Sequence, residues 1–453
     1  MRKQDNFTFL TTAPVSRVIP AMAVPTIISM LVTSIYNLVD TYYVGLINTQ
    51  ATAAVGVVFP VMAIIQSIGF LFGQGSGTYM ARHLGARRLD EARQMAATSF
   101  VGSIVCGVLM AIVGLILLKP LSILLGSTPT ILPYTMQFMG VILLGAPLMT
   151  ASMVINNQMR FQGNATHAMY GMISGALLNV ILVPLFMFTF GLGILGTAIG
   201  TVLSQFFGFI VLWVMSRRGE NIPIQLSQAS YKWHYQKEIL KGGTPSLTRQ
   251  ALASVATLML NVAAGTYGDA AIAGMSIVSR LAFIIFAIII GIGQGYQPFC
   301  GFNYGAGLYQ RLRKGFYFTI MLDLVVILLM CGPAFALAER LVYLLRNDPE
   351  VVAVGAVALR WQLVALPMAA VVTVCNMTLQ TTGQSLSANI LAAARNGIFF
   401  IPLILILPHF LGLKGVEICQ AVCDVLAFLL ALPLIIYFFK GINKTTKNQS
   451  THI

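Results

Sequence analysis

Charge is what this chain is short of. Of its 453 residues only 13 are acidic and 27 basic, and charged residues make up 9% of the total. Soluble domains carry roughly 25%, so this sequence cannot cover a water-facing surface of its own size. Other absences narrow the chemistry. Six cysteines (Cys106, Cys300, Cys331, Cys375, Cys419 and Cys423) are scattered through apolar stretches with no histidine at zinc-ligand spacing. That argues against both a disulfide framework and a metal centre. No Walker motif is present, so ATP does not drive this chain directly. The GQG tripeptides follow no strand and precede no suitably placed acid, which rules out dinucleotide loops and leaves helix-end turns or close helix packing. His83, His167 and His409 fall near expected helix ends and form no set with a serine and an aspartate. No enzyme activity and no cofactor is expected. The N-terminal MRKQDNFTFLTTAPVSR is polar and no short apolar core with a cleavage site follows it, so the first helix is expected to be retained.

What is abundant is apolar sequence, 57% of the chain. Runs long enough to cross a bilayer recur along its length. Twelve helices are expected, over about 18–46, 51–80, 95–118, 131–155, 165–188, 192–216, 240–267, 270–301, 315–338, 351–380, 386–409 and 411–439. The fold class is therefore an all-α polytopic membrane protein. With a cytoplasmic N-terminus, nineteen basic residues fall on the inner side, four (Lys119, Arg340, Arg346, Lys414) outside, and four (Arg249, Arg280, Arg360, Arg395) in or at the ends of helices. This is the positive-inside bias. It places the chain in the cell membrane as a multi-pass protein with both termini cytoplasmic, and it accounts for the basic net charge without nucleic acid. Contact with membrane lipids is expected, and the chain is expected to act as a monomer.

The chain repeats itself. GQGSGTYMARHLGA begins at Gly73 and GQGYQPFCGFNYGA at Gly293, an offset of 220 residues. Pro25 and Pro245, Pro147 and Pro367, and Gly163 and Gly383 keep the same offset. An N-lobe (1–216, helices 1–6), a cytoplasmic linker (217–238) and a C-lobe with its tail (239–453, helices 7–12) follow from this. Six helices is an even number, so both halves enter the membrane from the same side. The two lobes are then related by a pseudo-twofold axis along the membrane normal, as in transporters that rock one bundle against the other.

Against the apolar background a few charges stand out. Asp40 lies in TIISMLVTSIYNLVDTYYVG (27–46), where a charged Asp costs on the order of 2.5–3.5 kcal/mol at a helix centre. Asn37 sits one turn away on the same face, and Pro20 and Pro25 permit the helix to kink. A titratable group on a bendable helix suits a cation-gated switch. Asp323, Asp424 and Arg395 are weaker candidates in the second half, and Arg395 can pair with an acid on the last two helices, Asp424 or Glu417. Twenty-two methionines and 27 phenylalanines can line a permissive cavity, although most of them face lipid or neighbouring helices.

From about residue 15 to 440 the chain resembles the multidrug and toxic compound extrusion (MATE) family, and most closely its MepA-like branch. The resemblance is carried by YNLVDTYYVG (36–45), GQGSGTYMARHLGA (73–86), GTPSLTRQALASVATLMLN (243–261), VSRLAFIIFAIIIGIGQGYQPFCGFNYGA (278–306) and ARNGIFFIPLILILP (394–408). It implies two six-helix lobes in a V and export of small lipophilic, cationic compounds against inward H⁺ or Na⁺. It implies a cation site of Asp40, Asn179 and Thr201, with Pro25 as the bending point. Some members carry a second carboxylate where this chain has Val183. No metal is expected beyond Na⁺ at Asp40. One carboxylate suffices for a proton, whereas Na⁺ needs several oxygens, so the reading leans to H⁺. A flippase for a lipid-linked substrate and a passive channel are the competing functions.

Overall fold

The computed structural model describes residues 5–450; the side chains at 37, 38, 41 and 444–450 lie outside the described residues. The described chain is helical, with no strand among the described residues. A short helix α1 (Asn6–Thr12) precedes α2 (Val15–Gly45), α3 (Thr49–Gly85), α4 (Leu89–Ile116), the short α5 (Leu118–Leu124), α6 (Leu132–Phe161), α7 (Ala165–Pro184) and α8 (Gly193–Ser216). The second half contains α9 (Trp233–Gly265), α10 (Asp269–Gly305), α11 (Tyr309–Ala336), the short α12 (Ala338–Leu345) and α13 (Pro349–Thr381). It ends with α14 (Ser385–Ala393), a π-helical turn (Ala394–Ile398), α15 (Phe400–Leu411) and α16 (Leu413–Ser450).

The duplication reaches the helix ends. Thr49–Gly85 and Asp269–Gly305 start and stop at the same offset of 220, as do Leu89–Ile116 and Tyr309–Ala336. Local signals repeat too. The chain leaves α6 through Gly163 (φ 89°) and α13 through Gly383 (φ 84°), a left-handed turn that glycine adopts without steric cost. Packing repeats as well: α3 with α6 and α10 with α13, α6 with α8 and α13 with α16, α4 with α6 and α11 with α13. Each half is a bundle of six spanning elements, with α14, the π turn and α15 counting as one.

Eleven described helices are long and apolar enough to cross a membrane. The twelfth spanning element by position, α9, is too polar to qualify on composition. It begins at Trp233, earlier than the expected 240, because Tyr235 and Ile239 are buried in a cluster with Tyr79, Met80 and Met95. Lower down it carries Arg249, which donates to the Asn376 side chain at 3.0 Å.

The lobes meet through four helices related by the pseudo-twofold: α2 against α10, α3 against α9, and α3 against α10 on the axis. The close approaches all fall in the halves of these helices next to the basic loops. A Cβ on Gly85 would overlap the Phe302 carbonyl, and one on Gly305 would overlap the Arg82 carbonyl, the same contact made twice because both pairs differ by 220. Gly75 lies against Ile239, Gly243 against Leu71, and Gly295 against Ala23. Small residues allow helix backbones to approach closely in a membrane. The GQG motifs are thus mid-helix packing surfaces and not helix-end turns, since α3 and α10 both run on for several residues beyond them.

Polar contacts close the same end. Arg82 donates to the Thr381 carbonyl at 2.7 Å and lies 3.6 Å from Glu238, both across the lobe boundary. Helix α1, within a segment expected only to be polar, buries Leu10 completely. It joins Gln162 and Glu220 through Asn6, while Asn303 and Arg311 donate to the Leu10 carbonyl. At the opposite end no such contacts join the lobes among the described residues, and Ile35, Tyr42, Leu258 and Val262 stand exposed.

Gly305→Val is therefore expected to destabilise the protein by about 1–3 kcal/mol or more, because the core-like interface at Arg82 cannot yield. Gly332→Ala, at a helical position with nothing within 4 Å, is expected to leave stability equal or higher. Thermal unfolding of the purified variants followed by size-exclusion chromatography checks both.

Candidate functional site

Between α2 and the rest of the first lobe lies a cleft of about 1000 Å³ that is open to solvent. Helix α2 lines it with Met30, Thr33 and Tyr36, a stripe at helical spacing. One further turn along that stripe is Asp40. Its Oδ1 is buried and has no hydrogen-bond partner among the described residues, while the residue as a whole is half-buried. Tyr36 stands between Asp40 and Gln205 of α8, close enough to feel the carboxylate's charge. A buried charged oxygen without a donor is costly unless something fills the gap, and a proton or a small cation does so.

On the neighbouring helix α7, Asn179 donates through Nδ2 to Thr201 Oγ1 of α8 at 3.3 Å. Both are buried, and Asn179 lines the cleft. The bond uses the amide N–H and leaves the Asn179 carbonyl oxygen able to accept. Val183, one turn after Asn179, is fully buried and lies against the backbone of Gly200. The polar patch therefore ends in apolar packing at Val183. The structure brings Asn179 and Thr201 together, and Asp40 stands on α2, a helix that packs on α7, without a hydrogen bond to either. The Asn37 side chain lies outside the described residues.

Pro25 is buried inside α2, which is helical without interruption from Val15 to Gly45. Proline cannot donate to the carbonyl four residues back. Hydroxyls cluster around the weak point: Thr26 Oγ1 donates to the Met22 carbonyl and Ser29 Oγ to the Pro25 carbonyl, each at 2.9 Å. Side-chain back-bonding of this kind accompanies bent or bendable helices.

The second-lobe candidates are arranged differently. Arg395, in the π-helical turn, donates through Nε to Asp424 Oδ1 at 2.5 Å and through Nη2 to Oδ2 at 3.3 Å. Gln420 adds a third donor at 3.3 Å, and the guanidinium carbon lies 4.3 Å from the Phe286 ring centre. This pair is satisfied within itself. Asp323 of α11 is 1% exposed, and neither of its oxygens has a hydrogen-bond partner among the described residues.

Several cleft residues were not singled out in the sequence: Gln66, Asn156, Asn157, Arg160 and Gln205. Their signal is a polar side chain inside an apolar helix, visible for the pair Asn156 and Asn157 but weak for an isolated glutamine. Arg160 looks like an inner-loop charge. It is 3% exposed, because α6 continues to Phe161 and carries it into the lobe interface.

With this geometry in hand, the comparisons with known proteins agree with one another. The MatE family model matches residues 25–185 and 245–406, one match in each half. The chain is 27% identical over 439 residues to "Multidrug export protein MepA" of Staphylococcus haemolyticus (strain JCSC1435), covering 95% of this chain and 96% of that one. It is 27% identical to the protein of the same name from Staphylococcus aureus (strain NCTC 8325 / PS 47), covering 97% of each. Its fold superposes on the outward-facing conformation of a multidrug resistance MATE family transporter of the MOP superfamily with a TM-score of 0.92. That match is at 25% identity and covers 98% of this chain and all of the other. The chain belongs to the MatE family of multidrug and toxic compound extrusion transporters and is a MepA-like member of it.

Proposed function

We propose that this protein exports small lipophilic compounds by cation-coupled antiport, using the cleft as the substrate site and Asp40 as the coupling group. The observation that carries the reading is the buried, unpartnered Asp40 oxygen at the end of the stripe that lines the cleft. The basic end of the bundle is the cytoplasmic end by the positive-inside rule. The termini and the 217–238 linker then lie in the cytoplasm, and the cleft opens outward. Transport requires the glycine-packed end to part and the opposite end to close, with α2 bending at Pro25.

Coupling follows from competition for one charge. With its carboxylate ionised, Asp40 draws a cation. With a proton bound, it is a neutral donor that can satisfy a nearby carbonyl or Tyr36, and the local packing changes with it. A population shift needs such a difference in interaction between the two states. The site offers one carboxylate, the Asn179 carbonyl oxygen and the Thr201 hydroxyl, with apolar Val183 beside them. That set is sparse for Na⁺ and sufficient for H⁺, so H⁺ is the coupling ion we infer.

Asp40→Asn keeps the size of the side chain and removes its titration. Drug resistance conferred by the variant is expected to fall by about tenfold or more, with expression preserved, since the oxygen it alters has no structural partner. Unchanged resistance would place coupling elsewhere. The ion is tested in proteoliposomes. Substrate transport is expected to follow an imposed pH gradient and to collapse with a protonophore. Transport driven by Na⁺ at symmetric pH, insensitive to the protonophore, would assign the site to Na⁺.

A further inference from the structure

The floor of the cleft, at the basic end, holds Arg160, and Arg249 stands across the lobe boundary from it; the coupling site uses neither. Arg160 of α6 is 3% exposed and lines the cleft. It donates through Nη2 to Asn157 Oδ1 at 2.6 Å and through Nη1 to Gln294 Oε1 of α10, across the lobe boundary. Its Nε is buried with no hydrogen-bond partner among the described residues. Arg249 of α9, in the other lobe, donates to Asn376 Oδ1 at 3.0 Å and to Ser246 Oγ at 3.4 Å. The two guanidinium groups are close enough to repel each other. Neither has a carboxylate within ion-pair distance among the described residues.

Two neighbouring cations held only by neutral amides and a hydroxyl are an arrangement a membrane interior disfavours. An uncompensated buried charge costs several kcal/mol, and like charges add to that cost. Arginine rather than lysine stands at both positions, and its planar fork matches carboxylate and phosphate oxygens in pairs. Above this floor the cleft wall is apolar, with Met30, Phe70, Met153 and Met172.

We propose that Arg160 and Arg249 form an anion-recognition site that seats the carboxylate or phosphate of an amphiphilic ligand, whose apolar body lies along the methionine-rich wall. The ligand then meets opposite charges at the two ends of the cleft, arginines below and Asp40 above, so a zwitterion fits as well as an amphiphilic anion. The site draws on both lobes, because Arg160 belongs to the first and Gln294 and Arg249 to the second. A bound anion cancels the repulsion between them and holds the basic end shut. Its departure restores the repulsion and favours separation of the lobes. This builds on the export reading by naming the ligand's chemistry, and its test measures binding alone, so it stands or falls separately from transport.

The experiment uses the full chain in phosphatidylcholine nanodiscs and compares the fluorescent amphiphile 1-pyrenebutyrate with its uncharged amide, which shares the same apolar body. The acid is expected to bind at least about tenfold more tightly, the strength of a charge-assisted hydrogen bond. Equal binding of acid and amide by the unaltered protein would overturn the proposal without recourse to any variant. Arg160→Gln and Arg249→Gln are each expected to reduce the preference, and the double variant to abolish it, with amide binding held within about twofold as the sign of an intact fold. A preference that survives in a double variant still binding amide would also overturn it. A second set of nanodiscs containing phosphatidylglycerol identifies the source of the anion. Competition with pyrenebutyrate assigns the site to a lipid headgroup, and undiminished binding assigns it to a soluble amphiphile.

Discussion

Everything else in this molecule depends on backbone meeting backbone where α3 crosses α10. Gly85 lies on the Phe302 carbonyl and Gly305 on the Arg82 carbonyl, and no side chain fits between. Bilayer interiors provide no hydrophobic force between helices, so close packing and polar contacts must hold the lobes together. Here both act in one place. The glycines bring the helices into contact, and Arg82 then reaches Thr381 and Glu238 across the boundary. Tight packing of this kind tends to have discrete arrangements rather than a continuum. A lobe interface confined to one end, with a cleft at the other, is the geometry a rocking exporter requires.

The duplication explains why the interface is symmetric while the sites are not. The offset of 220 residues carries helix bounds, prolines and packing partners from one lobe to the other. It does not carry the charges. Asp40 has its counterpart at Leu260, and Asp323 has its counterpart at Ser103. The first lobe keeps an open cleft beside the unpartnered Asp40 oxygen, whereas the second holds one acid in the Arg395–Asp424 pair and buries another, Asp323, without a described partner.

Much of this was legible in the sequence. The twelve helices, their order and the repeat could be read because long apolar runs and glycine–proline landmarks are local signals. Asp40 was legible for the same reason, a lone charge in an apolar run. Its companions Asn179 and Thr201 came only through family resemblance, since a buried amide and hydroxyl on other helices leave no local mark. The early start of α9 was hidden because, in a largely exposed polar segment, only Tyr235 and Ile239 are buried, by tertiary contact with α3 and α4. Arg160 was misread for a related reason: counting basic residues by loop cannot distinguish a solvated arginine from one carried inward on the last turn of a helix.

The central claim is that the glycine-packed end opens during transport. Ala86 and Ala306 follow the two helices immediately beyond the paired glycines and differ by the same 220 residues. Spin labels on cysteines placed at these two positions, in a protein whose native cysteines have been replaced, report the distance across that end. A single short distance is expected for the resting protein, with a second, longer population appearing when substrate and an imposed pH gradient are supplied. A distance that stays short and single while the same labelled protein transports substrate would contradict alternating access through this interface.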